Sequence, residues 1–333
     1  MESRVTFLLT ASIFFATLLL SGQAFAKHKP PWVRTIDPIV STDWLHDTPD
    51  QEDLIILDIR SSTDYDAGHI PGSINEPFEV PFSAWITMRD DLLLEVPEAS
   101  ELFKSIGDLG ITDHSRVVVV TTPIDGQPPF YGLANATRVA LTLIYAGIEN
   151  VAILDGGYPK WVAENRETTT EVPVVEPVLY QGKVNKAILV SRQYVKKSIR
   201  KADIIDARDA DVYFGVTIEP FANKAGHIPS AKSLPSPWIW DLNTVKIDGT
   251  PHTYYTYKDP ETLGAMASGV LREPWGYKGH KSQEIIVYCG VGGYASSWWF
   301  VLTQVLGYEN VKLYDGAAQE WVKYYDMVPY QWE

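Results

Sequence analysis

The chain has 333 residues, a formal net charge of −14 and one cysteine, Cys289. The acidic balance argues against nucleic acid or an anionic membrane surface as partner. A single cysteine excludes an internal disulfide and leaves one thiol that an oxidising compartment would attack unless it is used.

In chain order, Met1 to Thr6 sets Arg4 against Glu2, Val5 to Leu20 is mostly apolar, and Ala24-Phe25-Ala26 offers a small-x-small cleavage signal before Lys27. This pattern reads as a secretory signal peptide over residues 1–26, with an uncleaved anchor as the other reading of its weak charge. No later apolar stretch is long enough to cross a bilayer. The expectation is a periplasmic or secreted protein with no stable membrane insertion after signal removal.

Beyond the leader, short apolar runs read as buried parallel strands: Leu54 to Leu57, Val117 to Val120 and Val151 to Leu154, then Ile204 to Ile205, Ile285 to Tyr288 and Val311 to Tyr314. Helical patterns lie between them at Ala99 to Leu109, Leu133 to Tyr145 and Tyr294 to Leu306, each closing near a glycine. The alternation predicts α/β architecture, with a central parallel sheet flanked by helices.

The pattern occurs twice. Asp58-Ile59-Arg60 is matched by Asp206-Ala207-Arg208, and Ala67-Gly68-His69-Ile70-Pro71 by Ala225-Gly226-His227-Ile228-Pro229. Gly147 through Asp155-Gly156 to Trp161 is matched by Gly307 through Asp315-Gly316 to Trp321. Shared order over such a span is a duplication. Domains are expected at 27–172 and 173–333, joined through the polar, proline-containing stretch from Arg166 to Gly182.

Cys289 ends the run Ile285 to Tyr288 and is followed by Gly290-Val291-Gly292-Gly293 before the segment that opens at Tyr294. Ligands of parallel sheets bind beyond the carboxyl ends of the strands. A loop of backbone N–H groups and the positive end of a helix would favour a thiolate there and hold an anion beside it. The bland alternative is a small core hydrophobe, but so many glycines mark a backbone that approaches something closely. In the first repeat the matching position is Thr121, and its loop is eight residues longer before Asp155-Gly156. A threonine without a partnering base is a poor nucleophile, so this copy reads as catalytically silent and structural, closing the cleft over Cys289. The long loop Pro123 to Tyr131 is a second candidate for binding.

Taken together, the Asp-x-Arg after a strand, the Gly-His-Ile-Pro turn, Cys-Gly-x-Gly-x-x-Ala at Cys289 to Ala295 and the Asp-Gly followed by Trp resemble the rhodanese family in its tandem-domain form. The resemblance spans nearly the whole chain after residue 26 and implies sulfur transfer. Cys289 would attack the outer sulfur of a small donor of the thiosulfate or 3-mercaptopyruvate type, become a persulfide and pass that sulfur to cyanide, another thiol or a protein acceptor. Gly290, Val291, Gly292, Gly293 and Tyr294 would then hold the donor. Converging N–H groups can stabilise a persulfide anion unaided, so no metal or cofactor is called for.

The loop departs from both familiar subtypes. Gly290 and Val291 stand where thiosulfate-type loops resemble Cys-Arg-Lys-Gly. The mercaptopyruvate type resembles Cys-Gly-Ser/Thr-Gly-Val-Thr, of which Cys289, Gly290 and Gly292 remain, with Val291 at the hydroxyl position and Tyr294 at the last threonine. Arg208 matches an arginine implicated in holding the donor carboxylate, but Arg60 repeats it in the silent copy, which favours an internal ion pair with Asp206. Val212, Tyr213 and Phe214 stand where a second cation is expected.

His69 and His227 read as turn residues. Trp238, Trp240, Tyr254, Tyr255, Tyr257, Trp275 and Tyr277 would roof the pocket, dock a protein acceptor or form a satellite core. His252 and His280 lack metal-ligand spacing. Phosphatase and arsenate reductase chemistry is disfavoured, because Cys-x5-Arg would need an arginine where Ala295 stands. The runner-up is non-enzymatic: a rhodanese-like sulfur-binding carrier, or an accessory protein of a periplasmic redox assembly.

Overall fold

The computed structural model describes residues 34–48, 53–124, 126–128, 130–272 and 283–333. The leader assigned to residues 1–26 and the aromatic pair Trp275 and Tyr277, with His280, lie outside them. In chain order the first half contributes β1 (Ile39–Val40), β2 (Leu54–Asp58), β3 (Ile74–Asn75), the pair β4 (Thr87–Arg89) and β5 (Leu92–Glu95), β6 (Arg116–Val120) and β7 (Asn150–Leu154). The second contributes β8 (Leu189–Val190), β9 (Asp203–Asp206), β10 (Ala231–Ser233), the pair β11 (Trp240–Ile247) and β12 (Thr250–Tyr257), β13 (Ile285–Tyr288) and β14 (Val311–Tyr314).

Two five-stranded sheets result, ordered β1-β7-β6-β2-β3 and β10-β9-β13-β14-β8, and every pairing within them is parallel. Read from the opposite edge, the second order matches the first strand for strand, so the sequence duplication is a structural one. The central strands β6 and β13 are apolar on both faces because both faces are covered. Val117 and Val119 join the core that runs between the halves, while Val118 and Val120 pack under the outer helices of the first half. In β13, Ile285 and Val287 face the shared core, and Ile286 and Tyr288 face away from it.

The halves meet along helix Phe130–Ala146 and helix Gly293–Phe300. The first of these is apolar on nearly every side, as a helix enclosed by protein must be. Small polar groups let the two approach: Thr137 Oγ1 lies 2.8 Å from Ser296 Oγ and 2.9 Å from Ser297 Oγ. The single helix expected over Tyr294 to Leu306 instead changes character at Val301–Val305, a π turn. Leu306 N–H reaches back to Val301 O, and Thr303 Oγ1 donates to Trp299 O at 2.7 Å. Such hydroxyl back-bonding loosens the regular ladder.

The stretch from Arg166 to Gly182 has little regular structure but is tied down. Val178 N–H donates to Gly107 O, and buried Tyr180 donates its hydroxyl to Ala146 O at 3.0 Å. Gly107 has to be glycine, since a Cβ there would sit 2.3 Å from Val178 O.

Both Asp-Gly aspartates, which the sequence marks only as repeat signatures, reach across to the opposite half. Asp155 Oδ1 accepts from Tyr257 N–H at 2.8 Å. Asp315 Oδ2 accepts from Val96 N–H at 2.9 Å, and its Oδ1 lies 2.7 Å from Nη1 of fully buried Arg138. Glu95 sits beside this pair on the wall of a cavity of about 600 Å³ that also touches Arg89, Arg192, Asp315 and Glu320. Burial first, and then the charge of Asp315, pushes the Glu95 carboxyl up to about 8.

A raised carboxyl holds its proton in the folded chain after the unfolded chain has lost it. Stability is therefore highest below the ordinary glutamate value of 4.5 and is lost as pH rises toward about 8. Glu95→Gln removes that dependence. Unfolding midpoints of the variant should gain on the native chain across this window, and parallel curves would count against it.

Candidate active site

Cys289 follows β13 directly, and its carbonyl accepts from Ala318 N–H at 2.9 Å while Gly290 O accepts from Gln319 N–H at 3.1 Å. These bonds pin the loop to helix Ala317–Tyr324. Gly292 takes φ +96°, a left-handed conformation that glycine adopts without strain. The turn aims Gly292 N–H at Cys289 Sγ, 3.0 Å away. Val291 and Ala295 N–H groups also stabilise the sulfur's anion. Gly293 opens the following helix, and Tyr294 O accepts from Ser236 Oγ at 2.6 Å. The structure thus brings Cys289, Gly290, Val291, Gly292, Gly293 and Tyr294 into one turn around the sulfur.

The cup does not produce a thiolate in the resting protein, contrary to the expectation from its amides. Cys289 is 3% exposed and joins the shared core. Burial pushes the thiol up to about 11; the amides of Ala295, Val291 and Gly292 oppose this, and the charge of Glu219 adds to it. Loss of water around a charged sulfur outweighs a few amide bonds. The thiol is protonated at neutral pH.

Arg208 is 2% exposed and largely committed. Its Nε and Nη2 donate to Asp206 at 2.9 and 2.6 Å, Nη2 also reaches Gly226 O at 2.8 Å, and Nη1 meets Glu219 Oε1 at 3.1 Å. Arg60 repeats the arrangement with Asp58 and Gly68 O. The internal-pair reading of Arg208 agrees with this geometry, because Nε and Nη2 are taken by Asp206 and Gly226 O, and a carboxylate already meets Nη1.

That carboxylate was not singled out from the sequence. A Cβ placed on Gly290 would lie 2.7 and 2.8 Å from the two oxygens of Glu219, so the side chain lies directly against the loop. The available signal was an insertion: sixteen residues separate Arg208 from Ala225, where six separate Arg60 from Ala67.

The first half reaches this loop as well. Tyr131, at the end of the long loop, lies with its ring 5.4 Å from that of Tyr294. Beneath the loop, a Cβ on Gly292 would come 3.1 Å from Arg138 Nη1. Thr121 has no such setting: it is buried, and its hydroxyl donates to Gly132 O at 2.8 Å. A cavity of about 620 Å³ lies over it, touching Arg60, Asn135 and Tyr158.

His69 and His227 stack on Tyr65 and Tyr213 with ring centres 3.7 and 3.9 Å apart, and each Nδ1 meets a tyrosine carbonyl, at 2.8 and 3.0 Å. They hold their turns, as expected. The aromatic hairpin β11–β12 clasps the first half. Phe130 packs 5.8 Å from Trp240 and 5.4 Å from Tyr255, while Trp238 is exposed.

The chain is similar to several known proteins. TtuD, a sulfur carrier protein from Thermus thermophilus, is 32% identical over 299 residues, 85% of this chain and 93% of that protein. A Mycobacterium leprae protein with a provisional thiosulfate sulfurtransferase name is 27% identical over 303 residues, 88% of this chain and 96% of its own length. The crystal structure of SseA from Escherichia coli, described as a 3-mercaptopyruvate sulfotransferase, has a TM-score of 0.63 at 26% identity, covering 85% of this chain and 99% of that one. The rhodanese-like domain family matches residues 41–164 and again 191–324. With its two matching parallel sheets and its duplicated sequence, the chain belongs to the rhodanese family and carries two rhodanese-like domains.

Proposed function

We propose that the protein is a sulfurtransferase in which Cys289 carries sulfur as a persulfide. The observation behind this reading is the Gly292 N–H aimed at Cys289 Sγ from 3.0 Å, in a loop locked beyond the end of β13. Two steps balance. The Cys289 thiolate, its proton released to solvent, attacks the outer sulfur of the donor; the donor's bond to that sulfur breaks, and sulfite leaves from thiosulfate, or pyruvate from 3-mercaptopyruvate once its carbon takes up the thiol proton of the donor. An acceptor thiolate or cyanide then attacks the outer sulfur of the persulfide and returns the Cys289 thiolate. The amides around Sγ offset the charge at both stages. No step needs a metal or a redox cofactor.

Intact mass tests this. Incubation with thiosulfate or 3-mercaptopyruvate should add one sulfur atom, and cyanide should remove it; no gain with either donor rejects the reading. A stoichiometric carrier is favoured by one observation, the covered and protonated Cys289, and the Thermus thermophilus relative bears a carrier name. Repeated release of sulfite or pyruvate per protein molecule supports a transferase, and a single loading event supports a carrier. Thr121→Ala should leave the turnover rate within about twofold of the native value, because its hydroxyl is spent on Gly132 O. A larger fall would give the first domain a chemical role.

A further inference from the structure

Glu219 stands beside the loop that holds Cys289. Its carboxylate lies against Gly290, and it meets Nη1 of Arg208 at 3.1 Å. The guanidinium is thus shared between two carboxylates, Asp206 and Glu219, one more than its single charge can balance; burial pushes the Glu219 carboxyl upward, and Arg208 beside it holds it down. Asp209, exposed at the start of the next helix, adds to the negative field, and Arg138, the cation that comes near Gly292, is paired with Asp315 at 2.7 Å. Also near the loop are the phenol rings of Tyr131 and Tyr294, which are uncharged at neutral pH. Like charges held a few ångströms apart in a partly dehydrated site repel far more than they do in water.

We infer that Glu219 is the specificity-determining residue of the Cys289 pocket, rejecting dianionic sulfur donors and admitting donors of lower charge. Of the two donor types, the singly charged 3-mercaptopyruvate is accepted in preference to the thiosulfate dianion. The carboxylate occupies the Arg208 nitrogen that a donor anion would otherwise use. Its repulsion also acts on the persulfide anion, which favours onward release of the sulfur. The donor preference rests on the transfer reading given above; the charge selectivity at Cys289 does not.

The test separates the two. Alkylation of Cys289 by neutral iodoacetamide and by anionic iodoacetate, followed by mass, reads the charge at the sulfur without any transfer step. In Glu219→Gln, which keeps shape and hydrogen bonding, the preference for iodoacetamide should shrink about tenfold, and Glu219→Ala should give the same direction. Persulfide formation from thiosulfate should rise about tenfold in Glu219→Gln, and that from 3-mercaptopyruvate by a smaller factor, since one charge fewer is relieved. An alkylation preference within twofold of the native value in both folded variants overturns the role of Glu219. An altered preference with no sulfur gained from either donor leaves Glu219 in place and rejects sulfur transfer instead.

Discussion

Cys289→Ser should abolish sulfur loading and lower turnover by more than about a thousandfold, because no other residue can take its place as nucleophile. It is the only thiol in the chain. Thr121, at the matching place in the first domain, spends its hydroxyl on Gly132 O. The serine oxygen can still accept from Gly292 N–H where the sulfur now lies 3.0 Å away, so the loop should keep its form. Unfolding should accordingly shift little, by about 1 kcal/mol or less. Turnover and intact mass, measured on a variant with a native-like melting curve, check the result. Activity within tenfold of the native chain would remove Cys289 from the reaction.

Arg138→Ala should be the most destabilising single change among those considered, at about 3–5 kcal/mol. Arg138 is fully buried in helix Phe130–Ala146, paired with Asp315 at 2.7 Å and hydrogen-bonded to Leu94 O. Its removal leaves Asp315 covered and without a counter-charge, beside Glu95, whose carboxyl is already pushed up to about 8. Because a charge stranded in the interior costs more than an apolar replacement of the whole pair, Arg138→Met combined with Asp315→Leu should recover much of the loss. The single variant should also slow sulfur loading, since Arg138 Nη1 lies close enough to Gly292 that a Cβ there would come within 3.1 Å of it, and its loss leaves space beside the loop. Chemical denaturation of the single and double variants checks both statements, and a loss below about 1 kcal/mol for Arg138→Ala would show that the pair is not holding the halves together.

Much of the architecture was legible in the chain because its signals are local and repeated. Runs such as Val117 to Val120 are apolar on both faces only where both faces are buried, so they announce a parallel sheet before any contact is known. The same order of Asp-x-Arg, Gly-His-Ile-Pro and Asp-Gly appears in each half, and the two sheets share one strand order. The turn after Cys289 was legible for a similar reason: Gly292 at φ +96° is a local requirement of the backbone.

What the residues around that sulfur do was not legible, since it depends on groups brought from far along the chain. Glu219 comes from an insertion seventy residues before Cys289, Tyr131 and Arg138 come from the other domain, and none bears a motif. Sequence by itself determined that a thiol sits among amides beyond a strand of a duplicated α/β fold, because strand period and turn chemistry are properties of neighbouring residues. Only the tertiary structure decided that the thiol rests protonated behind a carboxylate: burial and field are set by whatever packs nearby in space, and dehydration of the sulfur outweighs the amides that the loop supplies.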